Sequence, residues 1–150
     1  MSESVQRVYL DVCALCRPFD DQSQMRIRLE TEAVQLILSH VRSGDLALIL
    51  SPVHDVEIGA ISDPIEREHL LSLLSETGTR TDADLQHTRK RAEQLVHQGL
   101  GLADAAHLAY AEGAEASFVT CDDRLVRQCR RLELDIWCGT PVAFCGEEDL

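Results

Sequence analysis

The chain has 150 residues, of which 45% are apolar and 27% charged, and its formal net charge is −12 at pH 7. This length is enough for one domain whose core needs no disulfides. The negative charge argues against a protein that grips nucleic acid over a broad basic surface. No apolar run approaches the roughly 20 residues that cross a membrane, and residues 1–4 do not begin a secretory signal. We therefore expect one cytoplasmic domain over residues 1–150, with an acidic, mobile tail at about 146–150.

The six cysteines leave three interpretations open. Only Cys13 and Cys16 form a tight pair, and Cys138 and Cys145 are too far apart to complete a zinc knuckle. Reduced cysteines that pack as small apolar side chains fit a cytoplasmic protein best. A structural zinc site and a redox pair are the alternatives.

The apolar patterns alternate between strands and helices along the chain. They predict a first strand that begins near Val8 and ends at Asp11, and further strands at residues 46–50, 116–120 and 134–137. They predict helices at 27–41, from Pro52 to about 61, at 64–78, 82–97 and 103–113, and after Asp123. Such alternation is typical of α/β proteins, so we predict a three-layer α/β/α sandwich with a central parallel sheet.

Four acidic residues occupy related positions in this pattern. Asp11 ends the first strand, and Glu57 lies one to two turns into the helix after the second strand. Asp104 lies in the first turn of a later helix, and Asp122 follows the third strand. Ligands of open α/β sheets bind at the carboxyl ends of the strands, so we expect these acids to converge there. Acids in a first helical turn also have another explanation, since they complement the helix dipole by about 0.3–1 kcal/mol.

A group of carboxylates without a matching set of His and Cys favours Mg²⁺ or Mn²⁺ over zinc. Such an ion polarises a phosphate, orients an attacking water and lowers the pKa of that water. Without a cation, four close acids repel one another, and at least one of them should hold a proton. The pattern therefore indicates a site for a divalent cation and phosphate chemistry.

Four runs, spread over nearly the whole chain, have the order and spacing of a known family. They are L-D-V-C at 10–13 with R-P-F-D-D at 17–21, Ser51 followed by Glu57, L-A-D-A-A-H-L-A at 102–109, and F-V-T-C-D-D at 118–123. In these runs the chain resembles the PIN domain, the fold of VapC-type toxin ribonucleases. One run alone would be a weak signal, whereas the four in order are specific.

The resemblance implies hydrolysis of a phosphodiester, usually in RNA, with Mg²⁺ or Mn²⁺ as cofactor. Carried over position by position, it assigns metal binding and catalysis to Asp11, Glu57, Asp104 and Asp122. Thr120 stands where the family keeps a hydroxyl residue, and Asp123 could share or replace the role of Asp122. The resemblance also implies a PIN-like fold, a small antitoxin that covers the site, and a homodimer.

One departure from the family pattern concerns the support of the first acid. Many members have a hydroxyl or amide residue two or three positions after it, where this chain has Cys13 and Ala14. We expect the group that orients Asp11 to be weaker or to come from elsewhere in the chain.

Several basic residues are candidates for contact with RNA phosphates. Arg124, Arg127 and Arg131 recur every three or four residues beside Asp122, and form either a solvated helix face or a track of phosphate contacts. Arg17 is a further candidate, and residues 89–91 are another. His107, three residues after Asp104, either packs and donates to a carboxylate or reaches the site.

Three functions compete at this point. The first is a metal-dependent endoribonuclease that acts as the toxin of a type II toxin–antitoxin pair. The second is a catalytically weak scaffold that serves as an RNA- or protein-binding module. The third, a receiver or phosphoryl-transfer domain, needs a lysine near its aspartate, and the single lysine of the chain, Lys90, lies in a predicted helix far from any strand end.

Overall fold

The computed structural model describes residues 5–150. The strands are β1 (Gln6–Leu10), β2 (Leu46–Leu50), β3 (Gly78–Arg80), β4 (Ser117–Val119) and β5 (Cys138–Gly139). The helices are α1 (Val12–Leu15), α2 (Met25–Arg42), α3 (Pro52–Gly59), α4 (Pro64–Thr77), α5 (Leu85–His97), α6 (Leu102–Gly113), α7 (Asp123–Arg131) and α8 (Pro141–Glu147). A 3₁₀ turn at Arg17–Phe19 separates α1 from α2. Residues 1–4, on which the predicted absence of a secretory signal rests, lie outside the described residues.

All strand pairs in the sheet are parallel, in the order β3-β2-β1-β4-β5. Parallel neighbours need crossover connections, which place helices on both faces of the sheet. Successive residues of β1 therefore face different cores: Val8 and Leu10 pack on one side and Tyr9 on the other. The predicted three-layer α/β/α sandwich with a central parallel sheet is confirmed.

Each face of the sheet has its own apolar core. The first core contains Val34 and Ile37 of α2, Leu70 of α4 and Phe144 of α8. The second contains Leu95, Leu108 and Leu125, one from each of α5, α6 and α7. None of the helices within residues 5–150 is both long and apolar enough to cross a membrane.

The six cysteines are free. Cys121 and Cys129 are buried among apolar side chains, whereas Cys13 is exposed. The structure thus contains no disulfide among these cysteines.

The structure differs from the sequence prediction at the ends of the sheet and of the chain. The first strand runs to Leu10, and Asp11, predicted to end it, caps α1 by accepting the Ala14 amide, so that residues 12–15 are helical. Residues 78–80, predicted to end a helix, form β3. The last strand lies at Cys138–Gly139 and not at 134–137, and α8 was not predicted. Leu150 packs against the first core, and the mobility of the tail stays a prediction.

The order of the strands determines where a ligand crevice can form. From β1 the chain continues to β2 and β3 on one side, and β4 and β5 lie on the other side. A crevice forms at the carboxyl ends of strands that flank such a reversal of direction. Here these strands are β1 and β4, which lead directly to Asp11 and to Thr120.

At Gly78, the first residue of β3, there is no room for a side chain. A Cβ at this position would overlap the Leu50 side chain and lie 2.9 Å from the carbonyl oxygen of Leu74. We expect Gly78→Ala to lower the free energy of unfolding by about 1–3 kcal/mol, measured by urea denaturation. Gly59→Ala is the matched control, since a Cβ at that helical position meets nothing within 4 Å and should be neutral or stabilise by about 0.5–1 kcal/mol. Equal effects of the two variants would contradict the close approach at Gly78.

Candidate active site

The four predicted acids line one small cavity at the carboxyl edge of the sheet. Its volume is about 120 Å³, and its walls are formed by Asp11, Val12, Cys13, Glu57, Asp104, His107 and Asp122. The acids come from four segments of the chain: the end of β1, α3, the first turn of α6, and the turn between β4 and α7. The structure therefore brings the predicted set together, and its role in metal binding and catalysis stays a prediction.

Asp11 is the most buried of these acids, with 5% of its surface exposed. Its Oδ1 accepts the Ala14 amide and the Cys13 thiol, both at 3.0 Å. Burial, followed by the charge of Cys13, raises the pKa of Asp11 well above its ordinary value. The hydroxyl partner absent from the sequence is thus replaced by the thiol of Cys13 and by a backbone amide.

Glu57 contacts a buried histidine. Its Oε1 accepts a hydrogen bond from Nε2 of His107, which lines the same cavity. Burial raises the pKa of Glu57 and lowers the pKa of His107 to about 4, so that the imidazole is neutral near pH 7. His107 therefore both donates to a neighbouring carboxylate and reaches the site.

Asp104 shows how close the acids are in electrostatic terms. Its pKa is raised first by burial and then by the charges of Asp122 and Glu57, and Arg124 lowers it in part. The direction agrees with the expectation that close carboxylates without a cation retain protons. Asp104 thus experiences two of the other three acids as neighbouring negative charges.

The two consecutive acids after β4 point to different surroundings. Asp122 lines the cavity, and its Oδ1 accepts the amides of Arg124 and Leu125, which makes it the N-cap of α7. Asp123 forms a two-point ion pair with Arg26 of α2, with both N–O distances at 2.8 Å. The structure therefore places Asp122, and not Asp123, with the other three acids.

Thr120 is fully buried beneath this turn. Its Oγ1 accepts the Asp122 amide at 3.1 Å and lies 3.5 Å from the Cys13 sulfur. Its hydroxyl also lowers the pKa of Asp11, against the larger effect of burial. The predicted hydroxyl residue thus lies between two of the acids and fixes the turn that carries Asp122.

Arg17, a candidate for RNA contact, is engaged in the fold. Its guanidinium lies 3.1 Å from Glu30, whose side chain is only 4% exposed, and 2.8 Å from Asp20. Asp21, in the same run, accepts the Ser23 amide and so stabilises the turn that follows it. Arg17 does not line the cavity. Its charge compensates the buried carboxylate of Glu30.

The candidates on α7 are placed differently. Arg124, Arg127 and Arg131 are exposed on one helix that begins at the cavity. Among residues 5–150 none of these three side chains forms an ion pair within 4 Å, whereas Arg89 pairs with Glu93 and Arg91 with Glu112. These three cations on α7 are therefore unpaired, and their row begins next to the acids.

Two buried residues beneath the cavity were not predicted from the sequence. The His54 ring accepts the Ser51 amide at Nδ1, and its Nε2–H donates to the Leu10 carbonyl oxygen at 2.7 Å. The hydroxyl of Tyr9 lies 2.7 Å from Ser51 Oγ and 2.5 Å from His107 Nδ1. A capping box with the histidine three residues after Ser51 is the signal that could have identified His54.

The donor types of the cavity fit a hard divalent cation, although the donors are not preassembled. Within residues 5–150 no three side chains of His, Cys, Asp or Glu form a ready metal site. Asp11, Glu57 and Asp122 each use one carboxylate oxygen in the hydrogen bonds described above. The second carboxylate oxygen of each remains for a cation.

Comparison with known proteins shows the fold and no family. No family model and no curated protein match the chain. FitAcB from Neisseria gonorrhoeae is 16% identical over 89% of this chain and 97% of that one, with a TM-score of 0.55. VapBC2 from Rickettsia felis, bound to a DNA fragment from its promoter, is 12% identical over 90% and 98%, with a TM-score of 0.57. FitAB bound to an IR36 DNA fragment is 17% identical over 90% and 95%, with a TM-score of 0.55.

These findings correct the family assignment. The similar structures are complexes of two kinds of chain, and their names do not tell which kind resembles this protein. With no matching family model and identities of 12–17%, the assignment to the PIN family of VapC-type ribonucleases is wrong. The shared fold is what the comparisons support.

In the metal-free protein we expect Asp11→Asn to raise the melting temperature near neutral pH. The pKa of Asp11 is higher in the folded than in the unfolded protein, so the folded state binds more protons and stability falls as the pH rises through that window. The advantage of the variant is therefore largest above the folded-state pKa and vanishes near the ordinary value of 3.8. Calorimetry in EDTA measures it, with about 2–4 °C expected per kcal/mol in a chain of this size.

Asp55→Asn is the matched control for this experiment. Asp55 is half exposed and forms an ion pair with Arg80 at 2.7 Å, which lowers the pKa of its carboxyl. Its removal should leave the melting temperature unchanged or lower it. An Asp11→Asn variant less stable than the parent above neutral pH would contradict the electrostatic strain at Asp11.

Proposed function

We propose that this protein is a metal-dependent endoribonuclease that hydrolyses RNA phosphodiester bonds with Mg²⁺ or Mn²⁺. The observation that carries the proposal is the convergence of four acids, from four segments of the chain, on one cavity of about 120 Å³. Burying several carboxylates at one place costs stability unless a cation compensates them. The raised pKa values of Asp11, Glu57 and Asp104 are the sign of that cost.

In this proposal Asp11, Glu57, Asp104 and Asp122 hold the cation. A bound Mg²⁺ or Mn²⁺ supplies a polarised phosphate and a water of lowered pKa. The chain's own residues orient the carboxylates: the Ala14 amide and Cys13 hold Asp11, and His107 holds Glu57. We assign the fourth position to Asp122 and not to Asp123, whose carboxylate is engaged by Arg26.

The arginines of α7 are proposed to bind the RNA backbone. Arg124 acts on Asp104 electrostatically, so the row of Arg124, Arg127 and Arg131 begins at the cavity. Phosphate contacts position a nucleic acid without reading its bases. A short row of this kind reconciles a polyanionic substrate with a protein whose net charge is −12.

We further propose that the nuclease is the toxin of a type II toxin–antitoxin pair. Its structural neighbours are chains of toxin–antitoxin complexes, which supports such a role at the level of the fold. The proposal includes an antitoxin protein as partner, a homodimer and a cytoplasmic location. A short neighbouring reading frame that encodes an antitoxin, whose product forms a complex with this chain, would support it.

A second candidate function is a binding module with too little metal affinity for turnover. It is favoured by the absence, within residues 5–150, of a preassembled set of three metal ligands. Calorimetric titration with Mn²⁺ separates the two functions. Measurable binding at millimolar metal supports the nuclease, and a flat titration supports the binding module.

We expect the purified protein to cleave single-stranded RNA with Mg²⁺ or Mn²⁺ and to lose this activity in EDTA. Asp104→Asn and Glu57→Gln should each lower the cleavage rate by about 100-fold or more, since each removes charge that the proposed cation requires. Asp55→Asn, on the same helix as Glu57 but paired with Arg80, is the matched control and should cleave like the parent. Cleavage by Asp104→Asn at the parental rate would refute the proposed site.

We expect the double substitution Arg127→Gln and Arg131→Gln to weaken RNA binding uniformly across sequences. Each lost phosphate contact should reduce the slope of log affinity against log salt by about 0.7 on a single strand. Fluorescence anisotropy in EDTA, where no cleavage competes, measures both quantities. Arg89→Gln is the control, because Arg89 already pairs with Glu93. An equal loss in the control would mean that net charge alone governs binding.

A further inference from the structure

Beneath the cavity, three buried side chains connect Glu57 to the end of β2. The His107 ring binds Glu57 through Nε2, and its Nδ1 lies 2.5 Å from the hydroxyl of Tyr9. That hydroxyl lies 2.7 Å from Ser51 Oγ. Tyr9, Ser51 and His107 are 0%, 1% and 2% exposed, whereas the Glu57 side chain is 37% exposed. The chain of hydrogen bonds is therefore closed at Ser51 and opens to solvent only at Glu57.

The hydrogen-bond roles in this chain follow from the chemistry of its members. A carboxylate only accepts, so Nε2–H of the neutral His107 donates the hydrogen bond to Glu57. Nδ1 is then an acceptor, and Tyr9 must donate to it. The Tyr9 oxygen in turn accepts from the Ser51 hydroxyl, whose oxygen accepts the Val53 amide at 3.3 Å. One orientation satisfies all of these groups.

We infer that Tyr9 and Ser51 are positioning residues that fix Glu57 through His107 and thereby determine the affinity of the cavity for its cation. The inference rests on the proposed function, since it assigns a purpose to Glu57 as a ligand. A long, partly exposed glutamate loses side-chain entropy when it binds a metal, and a rigid donor reduces that loss in advance. Hydrogen-bonded partners of ligating carboxylates typically change metal affinity by about 10–100-fold.

The placement of polar groups supports this role over packing alone. Tyr9 lies between Phe118 and the two histidine rings, with ring centroids 4.7–5.8 Å apart, a setting that phenylalanine would also fill. Burying a hydroxyl there costs stability unless it is hydrogen-bonded. The Tyr9 hydroxyl is hydrogen-bonded only to His107 and Ser51. By orienting His107, it fixes the position of the Glu57 carboxylate.

The test measures Mn²⁺ binding to the full chain by calorimetry. Tyr9→Phe removes one oxygen and should lower the affinity for Mn²⁺ by about 10-fold or more. Tyr110→Phe is the matched control: it makes the same chemical change on α6, and Tyr110 forms no side-chain hydrogen bond among residues 5–150. It should bind Mn²⁺ like the parent. Ser51→Ala should also lower the affinity for Mn²⁺, and it replaces Tyr9→Phe in the test if that variant does not fold.

A double-mutant cycle distinguishes positioning through His107 from a structural effect. The amide nitrogen of His107→Gln replaces Nε2 as donor to Glu57 but leaves no Nδ1 for Tyr9 to hold. It should therefore retain most of the parental affinity, and adding Tyr9→Phe to it should change nothing more. An equal loss from Tyr9→Phe in both backgrounds would overturn the inference, as would a Tyr9→Phe variant that binds Mn²⁺ like the parent.

The outcomes separate this inference from the proposed function. A parent chain that binds no Mn²⁺ at millimolar concentration overturns the nuclease proposal and the inference with it. A parent that binds Mn²⁺ while Tyr9→Phe binds equally well overturns the inference alone. Nitrogen NMR of the metal-free protein gives an independent readout: His107 should be the Nε2–H tautomer in the parent and a mixture of tautomers in Tyr9→Phe.

Discussion

The cavity depends on the hydrogen bonds of Ser51, at the end of β2. The Ser51 amide donates to His54, which donates in turn to the last carbonyl group of β1, immediately before Asp11. The Ser51 hydroxyl contacts Tyr9, and through it His107 on α6. One residue thus ties the ends of two strands to two helices. The segments that carry Asp11, Glu57 and Asp104 are held relative to one another by this polar network, which is more directional than the apolar packing around it.

The two explanations offered for acids at helix starts prove to be compatible. Asp11 and Asp122 are the N-caps of α1 and α7, and each uses Oδ1 for the first amides of its helix. A carboxylate has two oxygens, so capping the helix through one leaves the other for a ligand. The capping bond also fixes the side-chain rotamer. Part of the side-chain entropy that two proposed ligands would lose on binding a cation is therefore already lost on folding.

The sequence predicted the sheet, the four acids and their convergence, because long buried strands and acids at their carboxyl ends are local signals. It missed β3, whose three residues carry no apolar run, and it placed the two-residue β5 at 134–137. It left Asp122 and Asp123 open, because the deciding contact comes from Arg26, 97 residues away. Tyr9 gave no signal, since a buried polar residue looks like an ordinary core position until its partners are known, whereas His54 could have been identified from its place three residues after Ser51. The family assignment failed because short runs with an acid occur at the carboxyl edge of a parallel sheet. Unrelated chains with the same fold can share such runs.

The charge distribution constrains how such a protein can act on RNA. With a net charge of −12, it gains little from general attraction to a polyanion. In the proposed function affinity comes from a few local cations, and Arg124, Arg127 and Arg131 on α7 are three that form no ion pair within residues 5–150. Arg17 and Arg26, by contrast, are compensated within the fold by Glu30. In that proposal the α7 row supplies the phosphate contacts next to the acids, and the net negative charge of the chain disfavours broad binding elsewhere. The acidic composition, which first argued against a nucleic-acid partner, becomes a reason for a narrow and directed one.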